Sequence, residues 1–205
     1  MKVVILGIGN YAEPMIELCI ECGHSIQGLY HFNKERTGEK VLDYEILGDY
    51  QDFIDNNNQG NVVVAVGNNK IRNEKLNFFR DLGYYTISLI HPTAYVSNSA
   101  ILGTGVYIHA RAFVWTKTQI ANNVIISPNA MVAHHVKIGE GCLISANSMV
   151  GSYVNVKERV MIGINAGIVS KALTIGSDAI IGANSMVINN VEPNDVMVGT
   201  PSKSK

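Results

Sequence analysis

The chain has 205 residues, 47% hydrophobic and 16% charged, enough for one large or two small domains with a buried core. Its net charge of −1 gives no basic surplus for nucleic acid or anionic lipid. Three cysteines, Cys19, Cys22 and Cys142, make no disulfide framework, and the opening MKVVILGIGN is too short an apolar run for a signal peptide. Nothing approaches a membrane span, so a cytoplasmic protein is expected.

Residues 1–90 read as alternating strand and helix. Val3–Leu6 is a β-branched run that ends in Gly7-Ile8-Gly9. Met15, Ile16, Leu18, Cys19 and Cys22 then recur at helical spacing until Gly23. The Cys19/Cys22 pair lies on one face of that helix with no second pair for zinc, so it is read as packing. Ser25–Tyr30 and Val62–Val66 read as further strands, the latter closing in Gly67-Asn68-Asn69, and Lys70–Leu82 reads as a helix stopped by Gly83. This β-α-β order predicts a parallel, Rossmann-like sheet covered by helices.

From residue 94 the rhythm changes to six. Val96, Leu102, Ile108, Val114, Ile120, Ile126, Val132, Ile138, Ile144, Val150, Val156, Ile162 and Ile168 are all aliphatic, and the next residue is usually small. The pattern slips by one residue within 169–174 and resumes at Ile175, Ile181 and Val187. No α-helix holds every sixth residue on one face for this long, and hairpin sheets need period two. A hexapeptide β-helix fits: the aliphatic residue points into a triangular prism and stacked coils bury a continuous column. The slip predicts a loop at one corner.

With its Gly7-Ile8-Gly9 turn, Ala65–Arg72, Leu89-Ile90-His91-Pro92, Ala133–Gly139 and Val198-Gly199-Thr200-Pro201, the chain resembles the hexapeptide-repeat sugar acyltransferases. These include sialic acid O-acetyltransferases and N-acetyltransferases of nucleotide-linked 4-amino sugars. The resemblance implies a Rossmann-like nucleotide-sugar domain over 1–90 and a left-handed parallel β-helix over 91–205. It also implies a homotrimer with acetyl-CoA, the acyl donor, in a groove between two β-helices. No metal, nucleic-acid or membrane partner is expected. An N-acetyltransferase on a nucleotide-linked amino sugar of cell-surface glycan synthesis is the leading reading. Two alternatives stay open: an O-acetyltransferase on sialic acid or another hydroxyl sugar, and a sugar-nucleotide-binding scaffold without catalysis.

His134 matches the family's catalytic histidine. It lies two residues beyond the Val132 anchor, outside the prism, and imidazole accepts protons near neutral pH. His135 stands where the best-known N-acetyltransferases carry an acid that orients the base, so an acid comes from elsewhere, Glu140 or a neighbouring subunit, or His134 works unaided. Leu143 stands where a histidine often touches the acyl donor. Register points to Gly151-Ser152 for the backbone N–H that an oxyanion needs. Ile164 and Ala183 match pantetheine-channel positions, and Pro201 and Lys203 match positions near the adenine and phosphates.

In the first domain, Gly7-x-Gly9-x-x-Ala12 is a phosphate-compatible turn between strand and helix. NAD binding needs an acid at the end of the second strand, where this chain has Tyr30-His31-Phe32-Asn33, so no nicotinamide is expected. His31 or Asn33 is assigned to the ribose and Phe32 or Tyr30 to base stacking. Gly9, Asn10, Tyr11, Gly67, Asn68 and Asn69 complete the expected substrate crevice.

Overall fold

The computed structural model describes residues 1–56 and 60–205. The chain divides into two units, Met1–Leu89 and Ile90–Lys205.

In the first unit, strand β1 (Lys2–Leu6) runs into a Gly7 turn, helix α1 (Ala12–Glu21) and strand β2 (Ser25–His31). Then follow a hairpin, β3 (Lys40–Val41) with β4 (Tyr44–Asp49), helix α2 (Tyr50–Asn56), strand β5 (Asn61–Val64), helix α3 (Asn69–Asp81) and strand β6 (Tyr85–Thr86). The sheet order is β3-β4-β2-β1-β5-β6, parallel except for the β3/β4 pair. The chain moves outward from β1 in one direction through β2 and β4, then in the other through β5 and β6. The strand order therefore reverses between β1 and β5, and the crevice at such a reversal is where open α/β sheets bind ligands.

Alternation decides what each sheet face buries. Val4, Leu6, Val62 and Val64 pack with Tyr30, Phe53, Leu76, Phe79 and Tyr84. α1 buries Ala12, Met15, Ile16, Leu18 and Cys19. Burial pushes the Cys19 thiol up to about 12, so it is an apolar packing group. The hairpin, α2 and β6 were not read from sequence. Tyr30 is corrected from a base-stacking candidate to a core residue: it is 8% exposed, with its ring centroid 5.1 Å from that of Phe53.

The second unit is a left-handed parallel β-helix of two-residue strands. The first face contains Tyr107–Ile108, Ile125–Ile126, Leu143–Ile144, Met161–Ile162 and Ile180–Ile181. The second contains Phe113–Val114, Met131–Val132, Met149–Val150, Gly167–Ile168 and Met186–Val187. The third contains Gln119–Ile120, Lys137–Ile138, Asn155–Val156 and Thr174–Ile175. Each coil takes 18 residues, as in Phe113 paired with Met131 and Met131 with Met149. The register lengthens to Asn155↔Thr174 and Gly167↔Met186. The extra residue behind the slip therefore lies in the corner loop between the second and third faces.

The anchor column is buried throughout, from Ile108 to Val187. A second inward column lies four residues after each anchor: Val106, Ala112, Val124, Ala130, Val136, Cys142, Val154, Val160 and Ala166 belong to the same core. Its polar members are satisfied. Thr118 Oγ1 donates to the Ala133 carbonyl at 2.8 Å, and Ser148 Oγ donates to the Ser145 carbonyl at 2.6 Å. The small residue after the anchor is a packing requirement. A Cβ on Gly139 would lie 2.5 Å from the Lys157 carbonyl carbon of the next coil.

Each corner then turns through a left-handed residue. Asn123, Asn129, Asn147 and Asn165 take φ of 58–62°, and Gly105 and Gly141 take 66° and 71°. Asn and Gly are the residues that tolerate this conformation. Arg111, Lys117 and Arg159 take the same conformation (φ 55–57°), and His135 (φ 58°) and Tyr153 (φ 66°) place aromatic rings there on consecutive coils, which marks a candidate functional corner.

Candidate active site

His134 and His135 form the corner between the second and third faces, His134 half-buried and His135 exposed. The two Nδ1 atoms are 3.0 Å apart, a hydrogen bond between neighbouring imidazoles. The corner backbone is fixed by the ladder: His135 N–H donates to the Thr116 carbonyl at 3.0 Å, and Tyr153 N–H donates to the His134 carbonyl at 3.3 Å. Tyr153, one coil further on, stacks on the His135 ring at 5.0 Å and 23°, and presents its edge to His134 at 5.3 Å and 87°. Trp115 meets His134 edge-on at 5.4 Å. Both imidazoles are thus walled by aromatic rings. Glu140 sits at a different corner, between the third and first faces, and the partner of His134 is His135 itself.

The oxyanion expectation changes at one residue. Gly151 N–H donates to the Ile168 carbonyl at 2.9 Å, and a Cβ there would lie 2.4 Å from Ser170 N. Gly151 is therefore a corner-packing residue, not an oxyanion donor. Ser152 N–H donates to Ser170 Oγ at 3.1 Å. Its acceptor is a side-chain hydroxyl of the slipped loop and not a ladder carbonyl, so Ser152 is the remaining candidate.

Leu143 is half-buried on the first face. Ile164, 54% exposed, and Ala183 lie on the corner between the first and second faces, a full face away from His134. Exposed Pro201 precedes the terminal strand, in which Lys203 pairs with Val198. Outward side chains differ by face. Met131 (37%), Met149 (40%), Met161 (39%) and Ile180 (41%) expose apolar surface on the first and second faces, whereas the third, which begins with exposed Ile101, continues with Gln119, Lys137, Asn155 and Thr174.

The first unit holds a cleft of about 450 Å³ lined by Ile8, Gly9, Asn10, Glu13, Arg36 and Val41. Gly9 has open space where a Cβ would stand, whereas Gly7 (φ 93°) would meet Val66 at 2.8 Å. Arg36 was not singled out from sequence, because it sits in a charged stretch with no periodicity. Its Nη1 donates to the Ile8 carbonyl at 2.7 Å and its Nε to Glu39 at 2.8 Å, which holds a guanidinium beside the glycine turn. Glu13 supplies a carboxylate to the same cleft.

The other expected substrate residues carry structural duties as well. His31 is buried and its Nδ1 accepts from Asn33 N–H at 3.1 Å. Burial, and then the Arg36 charge, push its pKa below the ordinary histidine value. Phe32 is 74% exposed and lies against the His31 ring at 4.2 Å, a free aromatic surface near the ends of the central strands. Asn33 accepts from Glu35 N–H at 3.0 Å, and Asn68 caps α3 by accepting from Ile71 N–H at 3.0 Å. Asn69 Oδ1 accepts from Arg72, whose fully buried guanidinium also donates to the Gly67 carbonyl at 3.0 Å. A Cβ on Gly67 would lie 4.0 Å from that of Tyr11, which places Tyr11 beside this loop. Burial raises the Tyr11 phenol, with Arg72 opposing.

Two family models match the chain. Residues 2–78 match the PglD N-terminal domain, and residues 117–152 match the bacterial transferase hexapeptide (six repeats). Among solved structures, PerB from Caulobacter crescentus, in complex with CoA and GDP-perosamine, is 29% identical with a TM-score of 0.93. That likeness covers 100% of this chain and 97% of PerB. Two variants of that perosamine N-acetyltransferase, with one histidine replaced by asparagine or alanine, also hold CoA and GDP-perosamine. The acetyltransferase domain of PglB from Neisseria gonorrhoeae, in complex with acetyl coenzyme A, is 27% identical with a TM-score of 0.91. It is covered over 98% of its length by 100% of this chain. WeeI from Acinetobacter baumannii, 18% identical at a TM-score of 0.63, shares the fold. No curated protein sequence matches.

Proposed function

From its matches to the PglD N-terminal domain and to the bacterial transferase hexapeptide, and from its likeness to PerB, we propose that the chain transfers the acetyl group of acetyl-CoA to the amine of a nucleotide-linked amino sugar. The observation that carries this reading is the likeness to PerB, bound to both kinds of ligand, over the whole chain.

The residues support it in two places. In the first unit, the glycine turn, the N-terminus of α1 and Arg36 provide donors for a diphosphate, and Phe32 provides an aromatic plane for the base. On the β-helix, His134 acts as general base. The neutral amine attacks the thioester carbonyl carbon, forming the C–N bond and an oxyanion. His134 Nε2 takes a proton from the nitrogen, Ser152 N–H exchanges its bond to Ser170 Oγ for one to the oxyanion, and collapse breaks the C–S bond to release CoA thiolate.

Ile164 and Ala183 lie on one edge of the prism and His134 on another. A groove that uses both edges is built from two copies. Exposed methionines and Ile180 give the first and second faces the apolar surface for a homotrimer. Cytoplasmic residence and a role in cell-surface polysaccharide synthesis complete the reading. No helix among the described residues is long and apolar enough to cross a membrane.

The test is CoA release with acetyl-CoA and a panel of GDP-, UDP- and dTDP-linked 4-amino sugars, each beside its hydroxyl counterpart, together with free sialic acid. Turnover confined to amines is the expected result. Turnover on hydroxyls alone would make the protein an O-acetyltransferase, and binding without turnover a scaffold. Light scattering on the active protein tests the trimer.

A further inference from the structure

His135 stands where the family resemblance implies an acid, and the described residues of that corner, Trp115 to Lys117, Ala133 to His135 and Gly151 to Tyr153, include no carboxylate. We infer that His135 serves in its place as a neutral hydrogen-bond acceptor, fixing His134 in the tautomer whose Nε2 carries the lone pair. The inference rests on His134 being the base.

An Nδ1–Nδ1 separation of 3.0 Å holds one hydrogen between the rings. Either His134 donates and its Nε2 is a free base, or His135 donates and His134 carries its hydrogen on Nε2, where it cannot take another. Which ring nitrogen of a histidine is protonated is set by the bond the other nitrogen makes. A carboxylate could only accept and would force the first arrangement. A neutral imidazole accepts there only when its own hydrogen sits on Nε2, and a fixed plane with Nδ1 aimed at the partner then holds the pair in that arrangement.

Two features supply that fixation. The His135 backbone is held in the left-handed conformation at φ 58°, with its N–H anchored on the Thr116 carbonyl. The Tyr153 ring lies nearly parallel to the His135 ring at 5.0 Å, and it too sits at a left-handed position, φ 66°. Consecutive coils thus each place a bulky ring where most other corners use asparagine or glycine. Trp115 meets His134 edge-on at 5.4 Å. When His134 Nε2 gains a proton from the substrate nitrogen, the Nδ1–H bond to His135 persists and strengthens as a charge-assisted bond. His135 and Tyr153 are thus positioning residues that act through His134.

The pairing is read directly by nitrogen-15 NMR of the histidine-labelled full chain at about pH 9, where an ordinary imidazole is neutral. His134 signals are assigned by their loss in His134→Asn. The expected spectrum has His134 protonated at Nδ1 and unprotonated at Nε2 in the parent, and moves toward Nε2–H in His135→Gly. Glycine suits the corner, as Gly105 and Gly141 show, so that variant removes the acceptor and keeps the turn.

The kinetic counterpart is a fall in kcat of about ten- to a hundredfold in His135→Gly, with both KM values within about twofold of the parent. His135→Gln, whose side-chain oxygen can accept, recovers most of that loss. An unchanged His134 tautomer in His135→Gly, or equal kcat in the glycine and glutamine variants, overturns the inference. A parent that transfers no acetyl group to any sugar defeats the proposed activity, while the NMR comparison still decides the pairing.

Discussion

The two units display their candidate functional residues in opposite ways. The β-helix is its own reference. Every coil repeats an anchor, a small residue and a left-handed corner, so His134-His135 and Tyr153 stand out as departures from columns that surround them. The first unit has no repeat. Its cleft is assembled from single-use residues, a glycine turn, an arginine from the segment after β2 and a valine of the hairpin, and nothing internal marks them. A repetitive frame separates residues that hold the fold from residues that only decorate it, and in an α/β sheet the two are mixed. Asn33 and Asn68, both expected as substrate residues and both found capping the start of a helical turn, show that mixing.

The sharpest way to break this contrast is at an anchor. Ile144 is fully buried in the column, and Ile144→Asp places an unpaired charge there at a desolvation cost of at least several kcal/mol. The expected outcome is loss of soluble oligomer, read by size-exclusion chromatography and circular dichroism. Melting within a few degrees of the parent would mean that the frame is not the stacked column described.

A departure should behave oppositely. His134→Ala is expected to keep the melting temperature and both ligand affinities while lowering kcat by about a hundred- to ten-thousandfold. Steady-state kinetics with calorimetric titration of each ligand checks it.

Acid should also act on the frame. His109 is 8% exposed and stands where the hexad pattern favours a small residue; burial, with a smaller contribution from His91, depresses its pKa from 6.5 to about 4. The unfolded chain therefore binds the extra proton first. The stability this group contributes is whole above about pH 6.5 and is lost as the pH falls toward 4, on the order of 3 kcal/mol. Urea melts at pH 7.5 and 4.5 should show a smaller acid loss in His109→Asn than in the parent.

The smallest effect belongs to the cleft of the first unit. Arg36→Gln removes a charge-assisted donor beside the glycine turn and should raise KM for the nucleotide sugar about tenfold, with KM for acetyl-CoA unchanged. An equal rise in both KM values would mean a structural role for Arg36.

What was legible in the sequence follows the same division. Period six has no competitor among helices and hairpins, so the anchor column and the loop at its slip could be read residue by residue. The second inward column was not read, because its members alternate among Val, Ala, Thr, Cys and Ser and carry no uniform hydrophobic signal. His134 could be placed by counting from Val132, whereas Tyr153 and Trp115 needed the 18-residue coil, which the hexads contain but do not announce. In the first unit, the hairpin and Arg36 lie in polar sequence with no periodicity. Tyr30 looked like a ligand residue only because alternation does not say which sheet face is covered by an aromatic cluster.

The most direct test of acetyl transfer by His134 is a single-turnover experiment with the best sugar of the substrate panel, with product mass and free CoA followed together. The expected result is one acetyl group gained on the sugar nitrogen for each CoA released in the parent, with His134→Ala binding both ligands and forming product at least about a hundredfold more slowly. Full-rate acetylation by His134→Ala, or no acetyl gain in a parent that binds both ligands, would contradict it.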